Sequence, residues 1–148
     1  MSDLISFYTS LRDYIRDDED FQEIADRRYY IYKTPSNLVY PYASSLQVTS
    51  DNWLTLGRTT EGENFPDFRI WCYNETGSSG VQDLVKLMSA IDSRLNFSKF
   101  EVEGWEVKSI RRENKTKPAI INTDEDDNIW GAFLEYQIRL QKEEVEKE

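Results

Sequence analysis

Histidine is absent from this chain of 148 residues, and the absence removes several chemistries at once. A Ser-His-Asp triad, a histidine general base and a histidine-ligated zinc site cannot be built from it. Cysteine occurs once, at Cys72, so no intrachain disulfide can form. That fits a reducing compartment, or a protein that never needed a crosslink. Positive charge is scarce too: 18 Lys and Arg stand against 28 Asp and Glu, a formal net charge of −10. A surface of that sign repels phosphates and argues against wrapping nucleic acid by charge neutralisation. No stretch approaches the ~18 apolar residues of a membrane span. The opening run from Met1 to Tyr14 has neither a basic cluster nor a continuous apolar core, so it does not read as a signal peptide. Without secretion, the three sequons at Asn74, Asn96 and Asn114 read as chance matches.

Aromatic residues are plentiful: four Trp, nine Tyr and seven Phe in a chain that is 39% apolar. This is enough to bury one core. The length suits a single domain, placed at 1–141, with a tail at 142–148 too charged to pack.

Leu4, Tyr8, Leu11 and Ile15 recur at helical spacing, so the chain opens on an amphipathic helix. The run Asp17 to Asp20 interrupts the pattern. Carboxylates oppose the dipole at a helix C-terminus, so this run fits better as the start of a further turn through Phe21, Ile24 and Ala25. Arg28 to Tyr32 and the run opened by Pro41 and Tyr42 read as strands. Residues 50–67 are polar and turn-rich yet hold Trp53, Leu54 and Leu56, the mark of a projecting β-hairpin arm or ordered loop. Residues 67–73 read as a strand with both faces covered at least in part.

Val81, Leu84, Val85, Met88, Ile91 and Leu95 predict a second amphipathic helix over 80–95, capped by Ser78 or Ser79 with Asp83 in its first turn. A strand over 101–112 follows, kinked near Gly104. Trp130, Ala132, Leu134, Tyr136, Ile138 and Leu140 alternate with polar residues, predicting a long final strand with one buried face. The fold class is α+β: a mainly antiparallel β-sheet packed with two amphipathic helices, plus the projecting arm.

Few motifs suggest chemistry. Asp124, Asp126, Asn128 and Glu135 fall at positions 1, 3, 5 and 12 of a calcium loop. The sixth position needs Gly and is Ile129, and a strand follows instead of a helix, so a hairpin turn is the better reading. Gly77 to Gly80 lacks the Lys-Ser/Thr of a nucleotide loop and reads as a helix cap. Cys72 has no histidine partner and reads as a small apolar residue. No carboxylate pair stands out for glycoside-type hydrolysis. One basic cluster exists, Lys108, Arg111, Arg112, Lys115 and Lys117. It can pair within the domain across neighbouring strands, or meet the acidic side of a neighbouring copy.

The order of these pieces resembles the phage tail-completion family of small tail-terminator and head-to-tail joining proteins. The resemblance rests on the N-terminal helix ending near Phe21, the Arg28-Tyr29-Tyr30 strand, Pro41-Tyr42 and the strand closing Arg69 to Tyr73. The Val81 to Leu95 helix and the terminal strand after an acidic turn complete it. It spans about 4–140. The family often has Asp-Gly before the last strand; here Asp127-Asn128 stands there, and Asn also tolerates positive φ.

The resemblance implies a virion structural protein of a long-tailed phage, not an enzyme and without cofactor. It would be assembled in the host cytoplasm as a homo-hexameric ring at the head-proximal end of the tail tube. Its partners would be its own copies, the tail tube protein and the head connector or stopper proteins, with DNA passing through unbound. On that reading Trp53, Leu54, Leu56, Trp130, Arg111 and Arg112 are contact candidates, unless Trp130 simply ends the core. Glu61, Glu63 and Asp124 to Asp127 (Asp124, Glu125, Asp126, Asp127) are candidates to face the lumen and repel DNA. The alternatives are a monomeric protein-binding adaptor and a carboxylate-dependent hydrolase. Oligomeric state separates the first; a concave pocket holding two carboxylates of raised pKa would mark the second.

Overall fold

The computed structural model describes residues 2–32, 35–47, 63–64, 67–77, 79–102, 104–122 and 128–142. The side chains of 2–6, 32, 46–47, 63–64 and 142 are not among those described. Three helices lie on one face of a mostly antiparallel sheet, which is the α+β arrangement expected, with one helix more than the sequence pattern suggested.

The extra helix comes from the acidic run. Helix α1 spans Ser2–Arg16 and α2 spans Glu19–Ala25. Asp18 is the N-cap between them, its Oδ2 accepting the Phe21 amide at 3.0 Å. Glu19 and Asp20 then sit in the first turn of α2, where carboxylates favour the dipole. The chain leaves α2 through Asp26 and Arg27, both at positive φ, and enters β1 (Tyr29–Tyr32).

Strand β2 (Tyr42–Gln47) follows after a short return that includes the cis Tyr40-Pro41 bond. It pairs with β1 in parallel, the one parallel pairing among the described strands. Strand β3 (Glu63–Asn64) and β4 (Asp67–Asn74) both lie along β7 (Ile129–Lys142), antiparallel and in one continuous register from Glu63↔Gln141 to Asn74↔Trp130. On the other flank of β7 lie β5 (Trp105–Lys115) and β6 (Ala119–Ile121), end to end. The strand expected from about 101 begins only at Trp105: Gly104, with φ +81, lies in a turn before it, where the Trp105 amide donates to Val102 O at 3.0 Å, and does not kink the strand itself. Two irregularities interrupt β5, between Val107 and Ser109 and between Arg112 and Asn114.

Helix α3 spans Gly80–Leu95. Leu84, Leu87, Met88, Ile91 and Leu95 are fully buried against the sheet. Val81 and Val85, counted in the apolar stripe by spacing, are 38% and 40% exposed. At 3.6 residues per turn they lie to one side of the line through Leu84, Ile91 and Leu95. The cap differs as well. Ser79 is the N-cap residue, but its hydroxyl donates to Asp83 Oδ2 at 3.0 Å and makes no bond to the helix backbone.

The helices cover the face lined by Phe68, Ile70 and Cys72 of β4 and by Ala132, Leu134, Tyr136, Ile138 and Leu140 of β7. Phe7 of α1 meets Phe68 edge-on at 5.3 Å, and Phe68 stacks on Tyr136 at 5.5 Å. Each such side chain contributes about 1.5–3 kcal/mol by leaving water.

Candidate functional site

Strand β5 carries most of the basic cluster, and its irregular register sorts it between two faces. Arg112 stands opposite Tyr136 and so turns to the helix side. There its Nη1 reaches Asp92 Oδ2 of α3 at 2.7 Å. Arg111, one residue earlier, points to the other face and lies 3.7 Å from Glu113. Lys108 pairs with Glu106 at 3.2 Å. Pairing within the domain therefore accounts for these three, with carboxylates of β5 and α3. Lys115 and Lys117 have no ion pair among the described residues.

The sheet edge beyond β5 is partly closed. The Arg112 amide donates to Asn96 Oδ1 at 3.0 Å, and the Phe97 amide donates to Ile110 O at 2.9 Å. From Glu113 to Ile121 no strand of the described residues lies outside this edge.

Trp130 is half-buried and packs against the main core. A Cβ on Gly80 would stand 3.0 Å from its ring and would collide with Glu75 O, so the helix start needs glycine for this close approach. Asn74 Nδ2 donates to Gly80 O at 2.9 Å and fixes the same corner. Opposite Trp130 in register is Ile120, which is 48% exposed. Trp130 thus ends the core and borders exposed apolar surface.

Trp53, Leu54, Leu56, Glu61 and Asp124 to Asp127 lie outside the described residues, and Glu63 is described in its backbone alone. The register still places the chain around them. Glu63 pairs with Gln141 near one end of β7, whereas Ile121 and Ile129, which lie on either side of residues 124–127 in sequence, pair at the other end. Twelve strand residues separate the two positions, about 40 Å. Asn128, the turn residue in place of Gly, has φ 55, and its amide donates to Asn122 Oδ1 at 2.8 Å. Glu135 lies on β7 and binds Arg69 at 2.8 Å, so no helix carries the last position of a calcium loop.

The helix-free face of the sheet bears a second cluster. Tyr30, Tyr42, Tyr73, Trp71 and Phe133 follow one another with ring centroids 4.9–6.1 Å apart, and Arg69 lies 4.3 Å over Phe133. Beside it, burial and the neighbouring carboxylates Glu113 and Glu135 push the Asp67 carboxyl above its ordinary value. The open grooves lie elsewhere, between α2 and α3, with Asp20, Glu23 and Asp83 on their rims. The raised carboxyl and these grooves are on opposite faces of the sheet. Burial likewise raises the Cys72 thiol, which stays neutral and packs as a small apolar group.

No protein-family model matches the chain, and no curated protein matches it either. Among solved structures, the fold is similar to that of a chain in the virion of a native gene transfer agent (GTA) particle. The TM-score is 0.69 at 14% sequence identity, with 90% of this chain and 92% of that chain covered. At that identity the likeness shows a shared fold.

Proposed function

We propose that this chain is a structural, non-enzymatic component of a phage-like virion. The observation that carries the reading is the fold it shares with a virion chain over 90% of its own length and 92% of the other's. The sequence features agree: no histidine, a net charge of −10, and an element order that resembles tail-completion proteins.

The finer proposal is a ring, hexameric by that resemblance, at the head-proximal end of the tail tube. It contacts the tube protein on one side and the head connector or stopper on the other. Six copies would bring strong negative charge around the genome's path, and a lumen of that sign repels DNA phosphates. With β7 along the channel, the acidic arm and the 124–127 turn border it at two heights. Large apolar side chains of the arm, Trp53, Leu54 and Leu56, bind neighbouring subunits.

Mass spectrometry of purified particles from the producing cell tests the coarse reading. The chain is expected at a few copies per particle, in constant ratio to the tail tube protein. Its absence from intact particles would overturn the assignment.

A further inference from the structure

Among the described residues, two clusters of like charge without an ion pair sit on opposite flanks of the sheet. At the β1 flank, Arg12, Arg27 and Arg28 pair with Asp13, Asp17 and Asp26. Glu19, Asp20 and Glu23 of α2 are exposed and have no ion pair among the described residues. At the β6 flank, beyond β7, Lys115 and Lys117 are exposed and have no ion pair among the described residues.

Each set comes with apolar surface. Between α2 and α3 runs an open groove of about 300 Å³. Ile24 and Val85 line it, the latter 40% exposed, with Asp20 and Glu23 on its rim. Asp83 lies next to it, and Lys86 is the one base there, so carboxylates prevail. At the other flank, Lys115 stands opposite Leu134 and Ile120 opposite Trp130. Both therefore project to the helix side of the sheet, where α3 does not cover them, and Ile120 is 48% exposed.

We propose that the α2–α3 groove receives the β5–β6 corner of a second copy of this chain. Ile120 enters between Ile24 and Val85, and Lys115 and Lys117 meet Asp20 and Glu23. Exposed ion pairs hold weakly on their own, so the inserted isoleucine supplies the apolar burial while the charges set partner and orientation. The two surfaces are different patches on opposite flanks. Such a contact is heterologous and, repeated, closes a ring or extends a filament. The proposal rests on the ring reading above and names the surface that makes it.

Charge exchange in the full-length chain tests it, with association read by sedimentation and native mass spectrometry. Wild type is expected to associate at low ionic strength and to loosen as salt shortens the Debye length below about 10 Å. Lys115→Glu with Lys117→Glu, and separately Asp20→Lys with Glu23→Lys, should each weaken association at least about tenfold. An equimolar mixture of the two variants should associate again, because each groove then meets a corner of opposite sign. Ile120→Ser should weaken association with the salt dependence retained. Circular dichroism and thermal melts like those of wild type exclude misfolding for each variant.

A mixture that stays dissociated, variants that associate like wild type, or a wild-type chain that is monomeric at low salt would each overturn the docking. None of these bears on whether the chain is found in particles, so the virion reading stands or falls separately.

Discussion

The carboxylate of Asp92, on the last turns of α3, holds the guanidinium of Arg112 on β5 at 2.7 Å. Its other oxygen accepts the hydroxyl of Tyr136 on β7 at 2.8 Å. One side chain thus ties the helix to two strands, and burial raises the Tyr136 phenol, keeping it a donor. Asp92→Ala leaves a buried hydroxyl without its acceptor and should cost about 1–3 kcal/mol in denaturant unfolding. Arg112→Ala should destabilise as well, whereas Arg111→Ala, exposed and loosely paired, should fall within about 0.5 kcal/mol of wild type.

Asp67 gives a pH dependence of defined sign. Its folded-state pKa lies above the ordinary 3.8, from burial first and then from Glu113 and Glu135. Between those two values the folded chain binds more protons than the unfolded one. The stability this group contributes is therefore full below 3.8 and is lost as pH rises through the folded-state value. Asp67→Asn stays neutral throughout. Its melting temperature should match wild type near pH 3 and exceed it at neutral pH, as thermal melts across that range would read.

Gly80→Ala sets a Cβ against Glu75 O and the Trp130 ring. The corner where α3 meets β7 must shift, at about 1–3 kcal/mol. Tryptophan fluorescence should change with it, since Trp130 packs there.

Local periodicity carried much of the fold. The alternation from Trp130 to Leu140 set the buried face of β7, and the spacing from Leu84 to Leu95 set α3. What periodicity cannot carry is pairing between distant segments. The parallel match of Tyr29 with Ala43 leaves no trace in either run, because the return through Tyr40 and Pro41 has no repeating pattern. Strand β6 is three residues long, too short to alternate visibly. The Asp92 site escaped for the same reason: Tyr136 is 44 positions away. The irregular register that turns Arg112 inward was also invisible, so Arg111 and Arg112 looked equivalent. The candidate assembly surface was legible as charge, but the matching of Lys108, Arg111 and Arg112 inside the domain had to be seen before Lys115 and Lys117 stood out.

The arm yields a prediction from sequence. Trp53→Asp combined with Leu56→Asp should abolish assembly while circular dichroism and melting temperature stay near wild type. Unfolding would place both residues in the core and remove the arm from the contact surface.

Electron microscopy of intact particles carrying a labelled copy of the chain tests the central claim most directly. The account predicts a ring of label at the junction of head and tail, with density that fits repeated copies of this α+β domain. Label elsewhere in the particle, or particles complete without the chain, would contradict it.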